Sequence, residues 1–173
     1  MKFIRETILR WARNREPDFI IGGKESPYLR RHWLLPRNRF FNVYVHQFLR
    51  SDDDRALHDH PWLFNASWLI EGEYLEHTIA EGGVQCLAYR QAGDFKFRWG
   101  PAPHRVELLG KVEPVEDGRA LTWRSHPVPC WTVFFTGPVV RNWGFHCPRA
   151  GWIPWQEFVD QRDKGAVGRG CGK

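Results

Sequence analysis

The sequence has no apolar run approaching the ~18–20 residues that cross a bilayer, no Cys-x-x-Cys pair and no internal repeat. The first absence excludes a membrane-spanning helix. Given the second, the four scattered cysteines (Cys86, Cys130, Cys147 and Cys171) are expected to be free thiols, not a disulfide frame. Cys171 lies in a Gly-rich tail and is expected to be exposed. The third absence leaves one domain, 1–173, long enough to bury a real core. A secretory leader is not expected either, because Met1-Lys2-Phe3-Ile4-Arg5-Glu6 carries charges every few residues. A cytoplasmic location is the default expectation.

Hydrophobic residues make up 42% of the chain and there are ten Trp, which fits a folded protein and excludes a disordered one. The net charge of +5 is modest and mostly arginine, the residue suited to bidentate contact with carboxylate or phosphate. Arg30-Arg31-His32-Trp33 through Arg37-Asn38-Arg39-Phe40 interleaves arginine with aromatics, as a nucleic-acid surface does. The preferred reading is a solvated, salt-bridged face beside a core strand, with no nucleic-acid partner.

Taken in order, residues 3–15 place Ile4, Ile8, Trp11 and Ala12 at helical spacing, which predicts an amphipathic helix ending before Pro17. Gly22-Gly23 and Ser26-Pro27 read as loop. Residues 40–49 predict a strand, and Ser51-Asp52-Asp53-Asp54 an exposed turn. Beyond residue 70, turn signals recur at Glu71-Gly72, Glu81-Gly82-Gly83, Gln91-Ala92-Gly93-Asp94 and Glu116-Asp117-Gly118. Between and after them, strands are expected at 74–79, 84–90, 95–99, 105–109, 121–124, 131–135 and 139–145. Many short strands at this spacing predict an all-β sandwich or barrel. Residues 153–160 predict a short closing helix, and 165–173 a flexible tail. Trp62, Trp68, Trp99, Trp131 and Trp143 are expected mostly in the core, with one or two lining a pocket.

Ala56-Leu57-His58-Asp59-His60-Pro61-Trp62 carries the main chemical signal. In an extended strand His58 and His60 share one face and Asp59 takes the other. If the parity runs on, Trp62, Phe64, Ala66, Trp68 and Ile70 form an inward set. Imidazoles on an inward face need hydrogen-bond partners or a metal, and both readings are open from these residues. His46, His126 and His146 are expected to be structural, Cys130 and Cys147 small buried hydrophobes, and Arg141 one half of a surface ion pair.

Two stretches together resemble the cupin superfamily. Leu57-His58-Asp59-His60, running on to Gly72, resembles its first motif. Ala92-Gly93-Asp94-Phe95-Lys96-Phe97-Arg98-Trp99-Gly100-Pro101-Ala102-Pro103-His104 resembles its second. The resemblance covers about residues 40–146, with an N-terminal helical extension (1–39) and a short C-terminal helix outside it. It implies an all-β, cupin-type jelly roll (a double-stranded β-helix) with a pocket inside.

Carried over residue by residue, the cupin metal ligands would be His58, His60 and His104. The family's glutamate position falls on Phe64, or on Asn65 if the strand is bulged. Three neutral imidazoles leave a divalent ion its full charge and open positions. Fe(II) is the preferred ion, with Zn, Ni and Mn also used in the superfamily. Thiol dioxygenases of the three-His kind carry a Ser-His-Tyr relay, whereas here Ser125-His126 is followed by no tyrosine. The implied function is a metal-binding cupin, a non-haem iron oxygenase acting on a small anionic substrate. A non-catalytic ligand- or metal-binding module and a sugar-type isomerase or epimerase are the alternatives. The expected partner is a small-molecule substrate, with no membrane; a homodimer is compatible with the resemblance.

Overall fold

The computed structural model describes residues 2–22, 25–52, 56–116, 121–162 and 167–172, the side chains of 113–116 and 121–125 excepted. Several expected features fall wholly or partly outside these residues: Gly23 of the first loop, Asp53-Asp54 of the acidic turn, Asp117-Gly118, and Gly165-Ala166 and Lys173 of the tail.

Helix α1 (Lys2–Arg13) forms where apolar residues recur at helical spacing, and Arg10 and Arg13 in its last turn complement the helix dipole. Pro17 disfavours helical backbone at the residue before it, and the helix stops short of it. Among the described residues fourteen strands follow: β1 (Phe19–Ile21), β2 (Leu29–Trp33), β3 (Asn42–Phe48), β4 (Leu57–His58), β5 (Phe64–Glu71), β6 (Glu73–Ile79) and β7 (Gln85–Gln91). Then come β8 (Phe95–Trp99), β9 (His104–Leu108), β10 (Gly110–Glu116), β11 (Leu121–Pro127), β12 (Cys130–Thr136), β13 (Gly144–Cys147) and β14 (Gly151–Pro154). Helix α2 (Trp155–Phe158) follows β14 directly.

Two six-stranded sheets carry the fold, in the orders β1-β2-β3-β12-β5-β8 and β14-β13-β4-β9-β6-β7. All pairings are antiparallel, and β10–β11 stands apart as a hairpin. The chain crosses repeatedly between the sheets: β3 lies in the first, β4 in the second, β5 in the first, β6 in the second. That alternation is a jelly roll, the double-stranded β-helix expected from the two motifs. Strands also form before residue 40, within the stretch read as helical extension.

Each face of the first sheet has its own core. On the outer face Val43, Val45, Ile70, Trp131 and Val133 meet Leu9 and Ala12 of α1. Burying a leucine such as Leu9 is worth about 1.5–3 kcal/mol, which is why this amphipathic helix lies on the sheet. Arg5 Nε donates to the Ile70 carbonyl at 2.9 Å, and Arg13 pairs with Glu71. Between the sheets Leu69, Tyr74, Val106, Leu108 and Cys130 close one end of the roll.

The strand parity expected from His58 onward does not run through. Residues 59–63 leave the strand, so β5 restarts with Ala66 buried beside Trp68 and Ile70 against α1, while Asn65 and Ser67 take the inner face. Trp62 and Trp143 line the interior cavity, whereas Trp99 is 61% exposed and not core. Phe64 stacks on Phe97 instead of facing a ligand position.

The cysteine expectation is corrected. Cys147 and Cys171 form a disulfide, with Cα atoms 5.4 Å apart, and Cys171 packs on the cluster of Ala56, Phe145, Cys147 and Phe158. Residues 167–172, expected as flexible tail, are tied down there. Gly168 and Gly170 amides donate to the Phe158 carbonyl at 3.1 Å, and Val167 bridges to Val159. Cys86 and Cys130 are free thiols. A bridge across 24 residues constrains the unfolded chain by about 3 kcal/mol. Thiol titration of the denatured, unreduced protein is therefore expected to find two of the four cysteines, and reduction is expected to lower unfolding stability by about that amount; four titratable thiols would refute the bridge.

Candidate metal centre

His58 is the last residue of the two-residue strand β4, which is held on both sides. It lies opposite Phe145 of β13 and opposite His104 of β9. His60 follows in backbone outside the strand, its amide donating to the Gly100 carbonyl at 2.9 Å. Glycine is required at 100, because a Cβ there would overlap the Trp62 carbonyl. His104 opens β9 and is also paired with Thr78 of β6.

The structure therefore brings together all three histidines singled out in the sequence. Their ring centroids form a nearly equilateral triangle: 5.2 Å between His58 and His60, 5.0 Å between His58 and His104, and 5.1 Å between His60 and His104. One ring nitrogen from each lies within 4.8 Å of the other two. His60 Nε2 and His104 Nε2 are 2.9 Å apart.

Burial lowers all three from the ordinary histidine value, His60 and His104 well below it, with neighbouring positive groups such as Arg98 adding to the effect. For His58 the nearby Asp52 and Asp59 partly oppose desolvation. Each imidazole is thus neutral near pH 7 and offers a lone pair.

These donors suit a divalent transition ion better than they suit one another. Two neutral Nε2 atoms at 2.9 Å can share a single proton, and His104 Nδ1 is buried without a hydrogen-bond partner. On the far side of the rings stand carboxylates: Glu76 Oε1 is 3.6 Å from His104 Nδ1, and Asp52 Oδ2 is 3.9 Å from His58 Nδ1. A metal-binding histidine ordinarily turns its other ring nitrogen toward such a group.

Neither carboxylate stood out in the sequence. Glu76 is fully buried on β6, where Arg98 and Arg90 neutralise it; Arg98 Nε and Arg90 Nε donate at 2.8 and 2.9 Å. A glutamate at the parity of buried Tyr74, and an arginine amid aromatics in Phe95–Trp99, were the available signals. Asp52 was read as exposed turn. Instead it is half-buried and accepts the Val106 amide at 2.8 Å. Asn65, the fallback for the family's glutamate, is fully buried with both amide atoms unpartnered.

Asp59 turns toward Gly144, Trp152, Arg141 and His146, and supports the histidines from behind. It is 1% exposed, accepts from the Gly144 amide (2.8 Å) and Trp152 Nε1 (3.0 Å), and pairs with Arg141 (3.0 Å) and His146 (3.3 Å). Arg141 therefore meets a buried carboxylate, not a surface one, and also donates to the His60 carbonyl at 3.2 Å. His126 is exposed on β11, opposite Lys111 of β10, and does not line the cavity; the Ser125 side chain lies outside the described residues.

The imidazoles open on a cavity of about 400 Å³ between the sheets. Trp62, Phe134, Trp143 and Phe145 wall it, with Arg31 and Arg98 among its polar groups. This is the size and composition of a small-molecule pocket. His46, on the inner face of β3, also lines it, stacked on Phe134 at 5.1 Å.

Neither a family model nor a curated protein matches the chain. Among solved structures it is similar to an uncharacterized conserved protein with a double-stranded β-helix domain from Klebsiella pneumoniae subsp. pneumoniae. That likeness has 17% identity and a TM-score of 0.47, over 73% of this chain and 90% of the other. Bacillus subtilis oxalate decarboxylase is similar at 14% identity and a TM-score of 0.49, over 74% of this chain and 30% of that one. Fe(II)-HppE is similar at 15% identity and a TM-score of 0.45, over 70% and 58%. The strand order is that of a jelly roll, a double-stranded β-helix.

Two outcomes follow from this geometry. Asp59→Ala, which strands a guanidinium, an indole N–H and a backbone amide, is expected to destabilise the fold by roughly 3 kcal/mol in chemical denaturation. Burial, with Arg31 adding, holds His46 well below its ordinary value, whereas in the unfolded chain it titrates near about 6.5. The unfolded state then binds more protons, so stability rises with pH through that window and is lost as pH falls below about 6.5. In chelator-treated protein the thermal midpoint is expected to drop on acidification from pH 7.5 to 5.5, and less steeply in His46→Gln. Equal slopes would remove His46 from this account.

Proposed function

We propose that the protein is a three-histidine metal-binding cupin in which His58, His60 and His104 hold Fe(II), and that it oxidises a small anionic substrate with dioxygen. The supporting observation is the convergence of three neutral imidazole nitrogens, within 4.8 Å of one another, at the wall of an aromatic cavity. Ferrous iron held by three neutral ligands keeps its charge and open positions, and supplies the redox chemistry that amino-acid side chains lack.

The chain's own groups have separate tasks in this reading. Asp52 and Glu76 face the outer ring nitrogens of His58 and His104 and set their orientation. Asp59 and Arg141 hold the backbone on either side of His60. The aromatic walls keep water away from the reacting end of the substrate.

Acid–base chemistry of the epimerase kind has less support. It needs a histidine with a free carboxylate and a tyrosine able to give up its proton. Glu76 is committed to two arginines and Asp52 to a backbone amide. Tyr74, which lines the cavity, is pushed up to about 12 by burial and so keeps its proton.

Elemental analysis of untagged protein, after reconstitution with ferrous salt, tests the reading. Near-stoichiometric iron is expected in the wild type and little in His58→Ala or His104→Ala, together with oxygen uptake on addition of carboxylic acid substrates. Stoichiometric zinc or nickel without oxygen uptake would point to an isomerase or a sensor. An absence of bound metal in the reconstituted wild type would overturn the proposal.

A further inference from the structure

One charge inside the cavity is unused by the metal reading. Arg31 lies on β2 opposite His46 of β3, on the inner face of the sheet, while its neighbour Arg30 is exposed. This part of the arginine-rich stretch is therefore not the solvated face expected from sequence. The Arg31 guanidinium lies over the Tyr44 ring at 4.8 Å, and its Nε donates to His46 Nε2 at 2.9 Å. Among the described residues no carboxylate comes within ion-pairing distance of it, whereas Arg98 is neutralised by Glu76. Burial pushes Arg31 down to about 10, with Tyr44 opposing, which leaves it charged at neutral pH. A half-buried guanidinium without a counter-ion, at the wall of a cavity, is arranged for an anion that arrives from outside.

The surroundings narrow the anion. His46 accepts from Arg31 and is neutral, so the Arg31–His46 pair carries one positive charge and suits a monoanion. With Nε engaged, the two Nη groups remain as a fork for a carboxylate. Phe134 joins this subsite to the histidine cluster: its ring is 5.1 Å from His46, 5.8 Å from His60 and 5.6 Å from Trp62. A ligand lying on Phe134 extends from one to the other.

We propose that the cavity binds an aromatic monocarboxylic acid, its carboxylate on Arg31, its ring against Phe134, and its far end at the three imidazoles. His46 is a positioning residue that aims the guanidinium. The inference rests on the proposed function only for which end of the ligand reacts.

Calorimetry on chelator-treated full-length protein tests it without metal. The probes are benzoate, phenylacetate, 3-phenylpropanoate and 4-phenylbutanoate, their primary amides, and phenyl phosphate. At least one acid is expected to bind ten-fold or more tightly than its amide and more tightly than phenyl phosphate. Arg31→Gln is expected to reduce that acid to the amide's affinity while retaining wild-type metal loading. The proposal is overturned if no acid binds, if acid and amide bind alike, if phenyl phosphate binds more tightly than every acid, or if folded Arg31→Gln binds the acid unchanged. The acid–amide contrast in the wild type stands even if the variant does not fold. Failure of metal loading with the contrast intact would remove the metal reading and leave this one.

Discussion

The arrangement depends on one constraint: from β3 to β6 the chain must alternate between two facing sheets. Because β4 is only two residues long and is clasped between β13 and β9, it cannot slide without losing both partners. A one-residue slip would turn His58 outward and Asp59 inward, burying a carboxylate against imidazoles and removing it from Gly144, Trp152 and Arg141. Asp59 therefore sets the register that presents His58 to the cavity. The position between the two histidines matters as much as the histidines.

Charge inside the roll is tightly accounted for. Glu76 is fully buried yet faces two arginines, and its remaining influence falls on His104. The cluster has neutral nitrogens because its rings are desolvated by burial, among the aromatic walls and the core residues Tyr74 and Val106 that line the same cavity. Arg31 is the exception, a cation whose natural partner is a ligand and not another side chain.

The far end of the chain closes one side of the same cavity. Val159 and Val167 both line it, and their bridge is held by α2 and by the disulfide from Cys147 to Cys171. Spacing could not have revealed that bond. Cys147 and Cys171 look like two unrelated thiols until β13 and the chain end are folded onto Phe158, whose carbonyl takes two amides from the final turn.

Local chemistry in the sequence determined much of this protein. The helix over Ile4 to Ala12, the period-two strands punctuated by Gly and Asp, and the histidines at 58, 60 and 104 all express short-range rules of side-chain period and turn geometry. What only the tertiary structure decided is which face each residue received after an interruption. The irregular backbone at 59–63 reset the parity of β5, sending Trp68 to α1 and Asn65 inward, against the alternation expected from His58. Arg31 was indistinguishable from Arg30 in the sequence, since both are arginines in a basic, aromatic stretch; pairing with β3 separated them, one into solvent and one into the cavity. Periodicity is a property of neighbouring residues, whereas the partner of a buried charge is set by which strands lie side by side. For that reason Glu76, Arg98 and Arg31 emerged only with the fold.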